Sequence, residues 1–338
     1  MLITNYRPDK QRSMFRFPTF LMEEGYKHSI NYKEIYPKPI LNNKYAPKNL
    51  KKWLGYADKF ILFPRSFKSE LKSIVEQSLN NVLVHVTDHS NSIYLPRGTK
   101  VSSILTCHDM IAIGSSLGKF QYGKSSKSGQ VLQKMIRTAI PRANFIACDS
   151  YNTESDLIKF CPEIQGRTKT IHLGIKKRNS KTRRPSTTAI DLDKIQFVLH
   201  VGNSAWYKNR KAVIESFSFL SQNSTYSNLH LILVGNPPQK EEVSNLCDNS
   251  KSLIEKKIHT LDNLSDSELF FLYERAVVLI FPSLMEGFGW PPLEAQSCGC
   301  PVIASSAGSL REILSDSALT TKPNDPKEIA RKTSFLLK

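Results

Sequence analysis

Short apolar runs rich in β-branched residues recur along this chain, and each is followed by a stretch of helical character. The runs are FILF, VLVHV, VSSILT, NFIACDS and TKTIHLG in the first half, then IQFVLHVG, LHLILVG, AVVLIFPS and PVIASS in the second. Strands that are apolar on both faces and alternate with helices belong to parallel sheets covered on both sides. The pattern therefore predicts an α/β protein of the doubly wound kind.

Between TKTIHLG and IQFVLHVG the alternation stops, and about twenty polar and basic residues from Ile175 to Lys194 intervene. They read as a linker between domains. With 338 residues the chain is too long for one ordinary core and suits two domains. The expected division is 1–180 and 190–338, with a cleft between the two.

Hydrophobic residues make up 40% and charged residues 23%, the balance of a folded chain. No apolar run approaches the ~20 residues that span a bilayer, and MLITNYRPDKQRSMFRF carries charges where a signal peptide would be apolar. The expectation is a cytoplasmic protein. Six cysteines (Cys107, Cys148, Cys161, Cys247, Cys298 and Cys300) form no C-x-x-C pair and have no histidine at zinc-ligand spacing. They read as reduced, mostly buried thiols.

Lysine plus arginine number 47 against 30 acidic residues, a net charge of +17, which points to anionic partners. Nucleic acid, phosphorylated ligands and acidic lipids all qualify. From Gly118 to Arg142 there are six basic residues and no acidic one, interleaved with Val131, Leu132, Met135, Ile136 and Ile140. That pattern fits an amphipathic helix on an anionic membrane surface, or a solvated helix face. A second basic cluster is Lys176, Lys177, Arg178, Lys181, Arg183 and Arg184.

In doubly wound sheets ligands bind beyond the carboxyl ends of the strands. Four stretches stand there: LTCHDM, HVGNSAWYKNR, LVGNPP and PSLMEGFGWPPLEAQSCGCPVIASS. In the last, a strand is expected to end near Ser283, and a helix to begin near Pro291 or Pro292 and close at Gly299. The loop Leu284 to Trp290 then lies at a helix N-terminus, which attracts anions. Gly287 and Gly289 would let a phosphate or sugar approach the backbone.

Glu286 falls in that loop and Glu294 in the first turn of the helix. A carboxylate accepts two hydroxyl hydrogen bonds, which suits a vicinal diol. One glutamate could hold a sugar ring and the other a ribose. Two other readings stay open at this point: Glu294 as a capping or dipole partner of its own helix, and the two carboxylates as a glycosidase pair. In HVGNSAWYKNRKAVIESF a strand ends at Gly202, and Lys208, Asn209, Arg210 and Lys211 occupy the turn into a helix. Cations there can neutralise a diphosphate without a metal ion, although a solvated basic turn is the commoner fate of such a run.

The combination of GNSAWYKN, LVG, LSDSELFFLYERAVVLIFPSLMEGFGWPPLEAQSCGCPVIASSAGSLREI and an upstream TCHD resembles the group 1 glycosyltransferases, family 4 of the nucleotide-sugar-dependent enzymes. The likeness runs through most of Phe197 to Ser317 and more loosely through the first half. It implies two Rossmann-like domains facing a cleft, the GT-B architecture, with the acceptor side in 1–180 and the nucleotide sugar in 190–338. It implies that Glu286 contacts donor sugar hydroxyls, that Gly287, Phe288 and Gly289 supply backbone to the sugar and diphosphate, and that Glu294 holds the ribose. Lys208 falls where the family has its diphosphate-binding lysine, beside Gly202. Asn203 stands where the family often has an arginine, which leaves a phosphate contact to another residue such as Arg210. His108, in TCHD, matches the histidine that faces the donor sugar, so the expected catalytic set is His108, Lys208 and Glu286. The resemblance implies retention of configuration, no metal and no cofactor beyond the donor substrate, with a glycan or lipid-linked acceptor. Family members usually continue past a stretch like DPKEIARKTSFLL into helices that cross back onto the N-terminal domain.

His85 and His89 read as structural, and Asp109 as orienting its neighbours or capping the turn that follows it. The D-x-D of Asp191 to Asp193 lies before a strand rather than after one, and reads as solvated charge. The rival readings are a basic nucleic-acid-binding protein, which lacks a zinc finger or RNA-binding motif, and a nicotinamide-dependent oxidoreductase, which lacks a G-x-G-x-x-G. A degenerate family member acting as a binding subunit is the third.

Overall fold

The computed structural model describes residues 1–9, 11–77, 82–97, 101–175, 182–186, 190–244, 246 and 255–338. The chain divides into two compact units, Met1–His172 and Leu173–Lys338. Each is an α/β unit built on its own parallel sheet, six-stranded among the described residues. In the first unit the strands are β1 (Leu2–Ile3), β2 (Glu34–Ile35), β3 (Leu83–Val86), β4 (Ser102–Cys107), β5 (Phe145–Cys148) and β6 (Thr168–Thr170). Their order across the sheet is β2-β1-β3-β4-β5-β6.

In the second unit β7 (Gln196–Val201), β8 (Leu229–Val234), β9 (Ile258–Leu261), β10 (Val278–Phe281), β11 (Val302–Ser305) and β12 (Leu319–Thr321) lie in the order β12-β11-β10-β7-β8-β9. The chain thus builds outward from β7 in one direction, then returns to place β10 on the other side of β7. This is the doubly wound architecture expected from the alternation of apolar runs with helices.

Every residue of β10 and of β11 is buried, as strands covered on both faces require. Alternate residues point to opposite faces and join separate cores. Leu199, Ile232, Leu279 and Phe281 pack with Leu272, Ala295 and Leu310. On the other face Val198, Leu231, Val278 and Ile280 pack with Val213, Phe217 and Ile329. The helix Arg210–Ser221 buries Ala212, Val213, Phe217 and Leu220 at helical spacing, which fixes its direction away from the end of β7.

One expected strand is not one. FILF falls in a π turn, Asp58–Leu62, that runs into the helix Phe63–Gln77. There Phe63, Phe67 and Leu71 are buried four residues apart, so helical period governs a run too short to declare it alone. Conversely, β1 and β2 are two residues long, and β9 (IHTL) and β12 (LTT) interleave polar residues, so none of the four stands out as an apolar run.

The described part of the expected linker is packed rather than free. The Arg183 amide donates to the Ser267 carbonyl, Thr182 donates to Glu274, and Leu192 is buried in the second unit's core. Lys176, Lys177, Arg178 and Lys181 lie outside the described residues, as does Cys247. The five described cysteines are free, and all but Cys298 are buried. No helix among the described residues is long and apolar enough to cross a membrane.

Candidate functional site

Strand order brings two loops of the second unit together. The strand order reverses between β7 and β10, the position at which doubly wound sheets bind ligands beyond the carboxyl ends of their strands. The loop after β7 runs through the 3-10 turn Trp206–Lys208 into the helix Arg210–Ser221. The loop after β10 runs into the helix Trp290–Ser297. They are tied by main-chain and side-chain bonds: the Leu284 amide donates to the Tyr207 carbonyl at 2.7 Å, and Asn209 Nδ2 donates to the carbonyls of Pro282 and Pro323. Asn209 holds a left-handed backbone (φ 53°), which directs the chain from the turn into the helix.

The two loops place Lys208 against Glu286. Lys208 Nζ donates to Glu286 Oε1 at 2.7 Å, with the two side chains 16% and 8% exposed. The ammonium also lies 5.1 Å from the centre of the Phe281 ring. Beneath them His200, on β7, is buried and donates from Nδ1 to the Ile280 carbonyl. Burial, with the cations of Arg210 and Lys208 nearby, pushes its pKa down to about 3, so the ring is neutral. A Cβ on Gly202 would stand 3.1 Å from His200 Nε2 and 3.4 Å from the Lys208 side chain. Gly202 therefore leaves space that Lys208 crosses.

The run Glu286 to Gly289 is buried throughout. Gly289 takes φ 105° to enter the helix at Trp290, and a Cβ there would meet Leu310 at 2.6 Å. Glu286 is held from behind by the loop after β11. Ser309 donates through Oγ to the carbonyls of Glu286 and Phe288, and through its amide to Glu286 again. Gly308 passes so close that a Cβ would lie 2.7 Å from the Glu286 carbonyl oxygen. Glu294 is the fifth residue of its helix, just past the first turn, and is 2% exposed. Its Oε2 accepts from the Tyr273 hydroxyl at 3.1 Å.

Two donor-side residues make contacts within the unit. Arg210 begins its helix with the guanidinium fully buried, its Nε 3.4 Å from Oε1 of Glu242 in the short helix after β8. Asn203 is exposed, and its side chain accepts from the Ala205 amide at 3.1 Å, closing the turn after β7. Asp191 and Asp193 both pair with Arg184, and Asp193 also with Arg275 at 2.6 Å.

In the first unit the carboxyl ends of the strands carry a buried polar network. His108 follows β4, and its Nδ1 lies 2.6 Å from Asp149, which follows β5. Its Nε2 lies 2.8 Å from the Thr87 carbonyl, which follows β3. A carbonyl only accepts, so Nε2 carries a proton. Burial lowers the ring's pKa, but Asp149, Asp88 and the Thr87 carbonyl outweigh it and raise the value to about 9. The ring is an imidazolium with both N–H groups engaged, and Phe17 meets it edge-on at 5.0 Å. Asp109 caps the helix Ile111–Ser116 through the Ile111 amide, as its position suggested.

Reading the sequence missed Asp149, Tyr273, Gly308 and Ser309. The last two sit in SSAGSL, a strand followed by a glycine and a serine, which is the signal a strand-end loop gives.

Residues 186–338 match the model of the family described as glycosyl transferases group 1. The chain is 27% identical to O-antigen chain mannosyltransferase B of Escherichia coli over 252 residues, 72% of this chain and 62% of that one. It is 25% identical to O-antigen chain mannosyltransferase RfbU of Salmonella typhimurium, over 73% of this chain and 63% of that one. The chain thus spans somewhat over three fifths of the length of these curated relatives. Among solved structures, sucrose-phosphate synthase of Thermosynechococcus elongatus superposes with a TM-score of 0.62 at 19% identity, covering 91% of this chain and 75% of that one. Anabaena HepE, solved in complex with UDP and glucose, gives 0.59 at 16% identity, covering 90% and 76%. The residues that the family model of the group 1 glycosyltransferases matches, 186–338, are those that hold Lys208, the Glu286 loop and Glu294.

Proposed function

We propose that the chain transfers a hexosyl unit from a nucleoside diphosphate sugar to a glycan or lipid-linked acceptor, with retention of configuration and without a bound metal. The names of its relatives, O-antigen chain mannosyltransferases, favour mannose as the sugar. The observation that carries the reading is the Lys208–Glu286 pair at the reversal point of the second sheet. A diphosphate sugar needs a hydroxyl acceptor and a phosphate counter-charge side by side, and these two groups supply them.

In the free chain each partner neutralises the other. A donor separates them, with its sugar hydroxyls on Glu286 and its phosphates on Lys208 and at the amides of Gly289 and Trp290, since Pro291 and Pro292 in the first turn have none to offer. Glu294, steadied by Tyr273, takes the ribose hydroxyls. Gly202 and Gly287 to Gly289 lend backbone to the ligand, and Asn203 shapes the turn that carries Lys208. Charge that develops on the departing diphosphate is then met by Lys208 and the helix start, which is transition-state stabilisation rather than uniform binding. His108 joins the ends of β3, β4 and β5 through Asp149 and the Thr87 carbonyl, a contact set that supports a positioning role for it.

Thermal-shift measurements with GDP-mannose, UDP- and ADP-sugars and free GDP and UDP test the donor half. Stabilisation by one nucleotide class is expected, about 2.7 kcal/mol at a hundred times its Kd. Transfer of sugar, abolished by Glu286→Ala in a chain that still folds, tests the chemistry. No stabilisation by any nucleotide sugar would sink the proposal, and stabilisation without transfer would leave a binding subunit.

A further inference from the structure

The stretch from Tyr36 to Ser69 carries seven lysines and one arginine against a single carboxylate, Asp58. That carboxylate is turned inward. It is 1% exposed and accepts from the amides of Leu41 and Asn42 and from the Tyr6 hydroxyl, at 2.8 to 3.0 Å. Asp58 thereby folds the 38–50 loop onto its unit and leaves no negative charge on the outside.

What the loop and the helix Lys51–Ala57 present outward is apolar and basic at once. Tyr45 is 82% exposed, Trp53 61%, Ile40 58% and Leu50 45%. Between them stand Lys38, Lys44, Lys48, Lys51 and Lys52, all exposed. Uncovered tryptophan, tyrosine and aliphatic side chains in one basic segment mark a surface that meets a partner. The mixture fits the interface of an anionic bilayer, where aromatic rings sit at headgroup depth, aliphatic tips enter the acyl boundary and lysines reach up to phosphates. A nucleic acid would take the lysines and stack on the rings, but it would leave Ile40 and Leu50 in water.

We propose that the loop 38–50 and the helix Lys51–Ala57 dock the chain on an anionic lipid bilayer. The proposal stands apart from the donor site and holds whatever sugar is transferred. It also relocates the membrane contact expected between Gly118 and Arg142. There the helix Lys127–Ala139 turns Ile136 and Ala139 inward, Arg137 is bonded to the Phe160 carbonyl, and only Val131 and Met135 of its apolar residues are strongly exposed.

The test is co-sedimentation of the full chain with vesicles of phosphatidylcholine, with and without phosphatidylglycerol. Binding only to the anionic vesicles, weakening as salt rises, is expected. Reversing Lys44, Lys48, Lys51 and Lys52 to Glu lowers it by at least about a hundredfold, at roughly fivefold per lysine. Trp53→Ser lowers it further than Trp290→Phe, and brominated lipid quenches tryptophan emission in the wild type but much less in Trp53→Phe. That quenching needs no destabilised variant. Three outcomes overturn the proposal: no binding to anionic vesicles at low salt, loss caused instead by reversing Lys119, Lys124, Lys127 and Lys134, or vesicle binding outcompeted by RNA with no lipid quenching of Trp53.

Discussion

Lys208 and Glu286 stand 78 positions apart in sequence and 2.7 Å apart in space, a donor–acceptor pair closed by the meeting of the loops after β7 and β10. Both side chains are largely shielded, so each is the other's chief source of charge balance. Binding of an anionic, hydroxylated ligand has to exchange this contact for two others.

Removing one partner of the pair leaves the other poorly compensated. Lys208→Met and Glu286→Gln are each expected to cost about 1–3 kcal/mol of stability in urea unfolding, and the double variant less than the sum. Under the proposed function, Lys208→Met also lowers kcat by about a hundredfold or more while the nucleotide Kd changes less. Additive stability losses would show that the pair is incidental.

Gly308→Ala tests the support behind Glu286. The added Cβ meets the Glu286 carbonyl at 2.7 Å and the backbone has φ +58°, so the chain must shift at the loop itself. A loss of roughly 1–3 kcal/mol is expected, together with loss of nucleotide-sugar stabilisation and an unchanged far-ultraviolet spectrum. Ser309→Ala removes bonds to Glu286 and Phe288 without strain and should show the same effect in weaker form.

Tyr273→Phe deletes one hydroxyl from the buried contact with Glu294. Stability should fall by about 1–2 kcal/mol, as when a buried carboxylate loses a donor. Nucleotide affinity should fall while the affinity for free hexose does not, if Glu294 serves the ribose. Calorimetric titration of both ligands separates these.

The imidazolium of His108 makes stability depend on pH. Its pKa is raised in the folded state to about 9 from an ordinary 6.5, so its contribution is complete below about pH 6.5 and is lost as pH rises through 9. Asp149→Asn should flatten the fall in unfolding free energy between pH 6.5 and 9. An unchanged slope in that variant would show that another group titrates there.

The residues themselves determined a good deal. Apolar β-branched runs alternating with helical stretches can only be satisfied by buried parallel strands, so the α/β architecture was legible from type and spacing. The E-G-F-G-x-P run announced a strand, a glycine-shaped loop and a proline-started helix, because those residues restrict the backbone locally. Only the tertiary structure decided which side chains meet. Strand order brought Lys208 to Glu286, Asp149 to His108 and Ser309 behind the glutamate loop. It also turned Arg210 under Glu242, and packed the apparent linker on the second unit. Local pattern reports how a segment uses its own backbone; contacts between residues 23 to 92 positions apart depend on where the sheet places each strand end, which no single segment encodes.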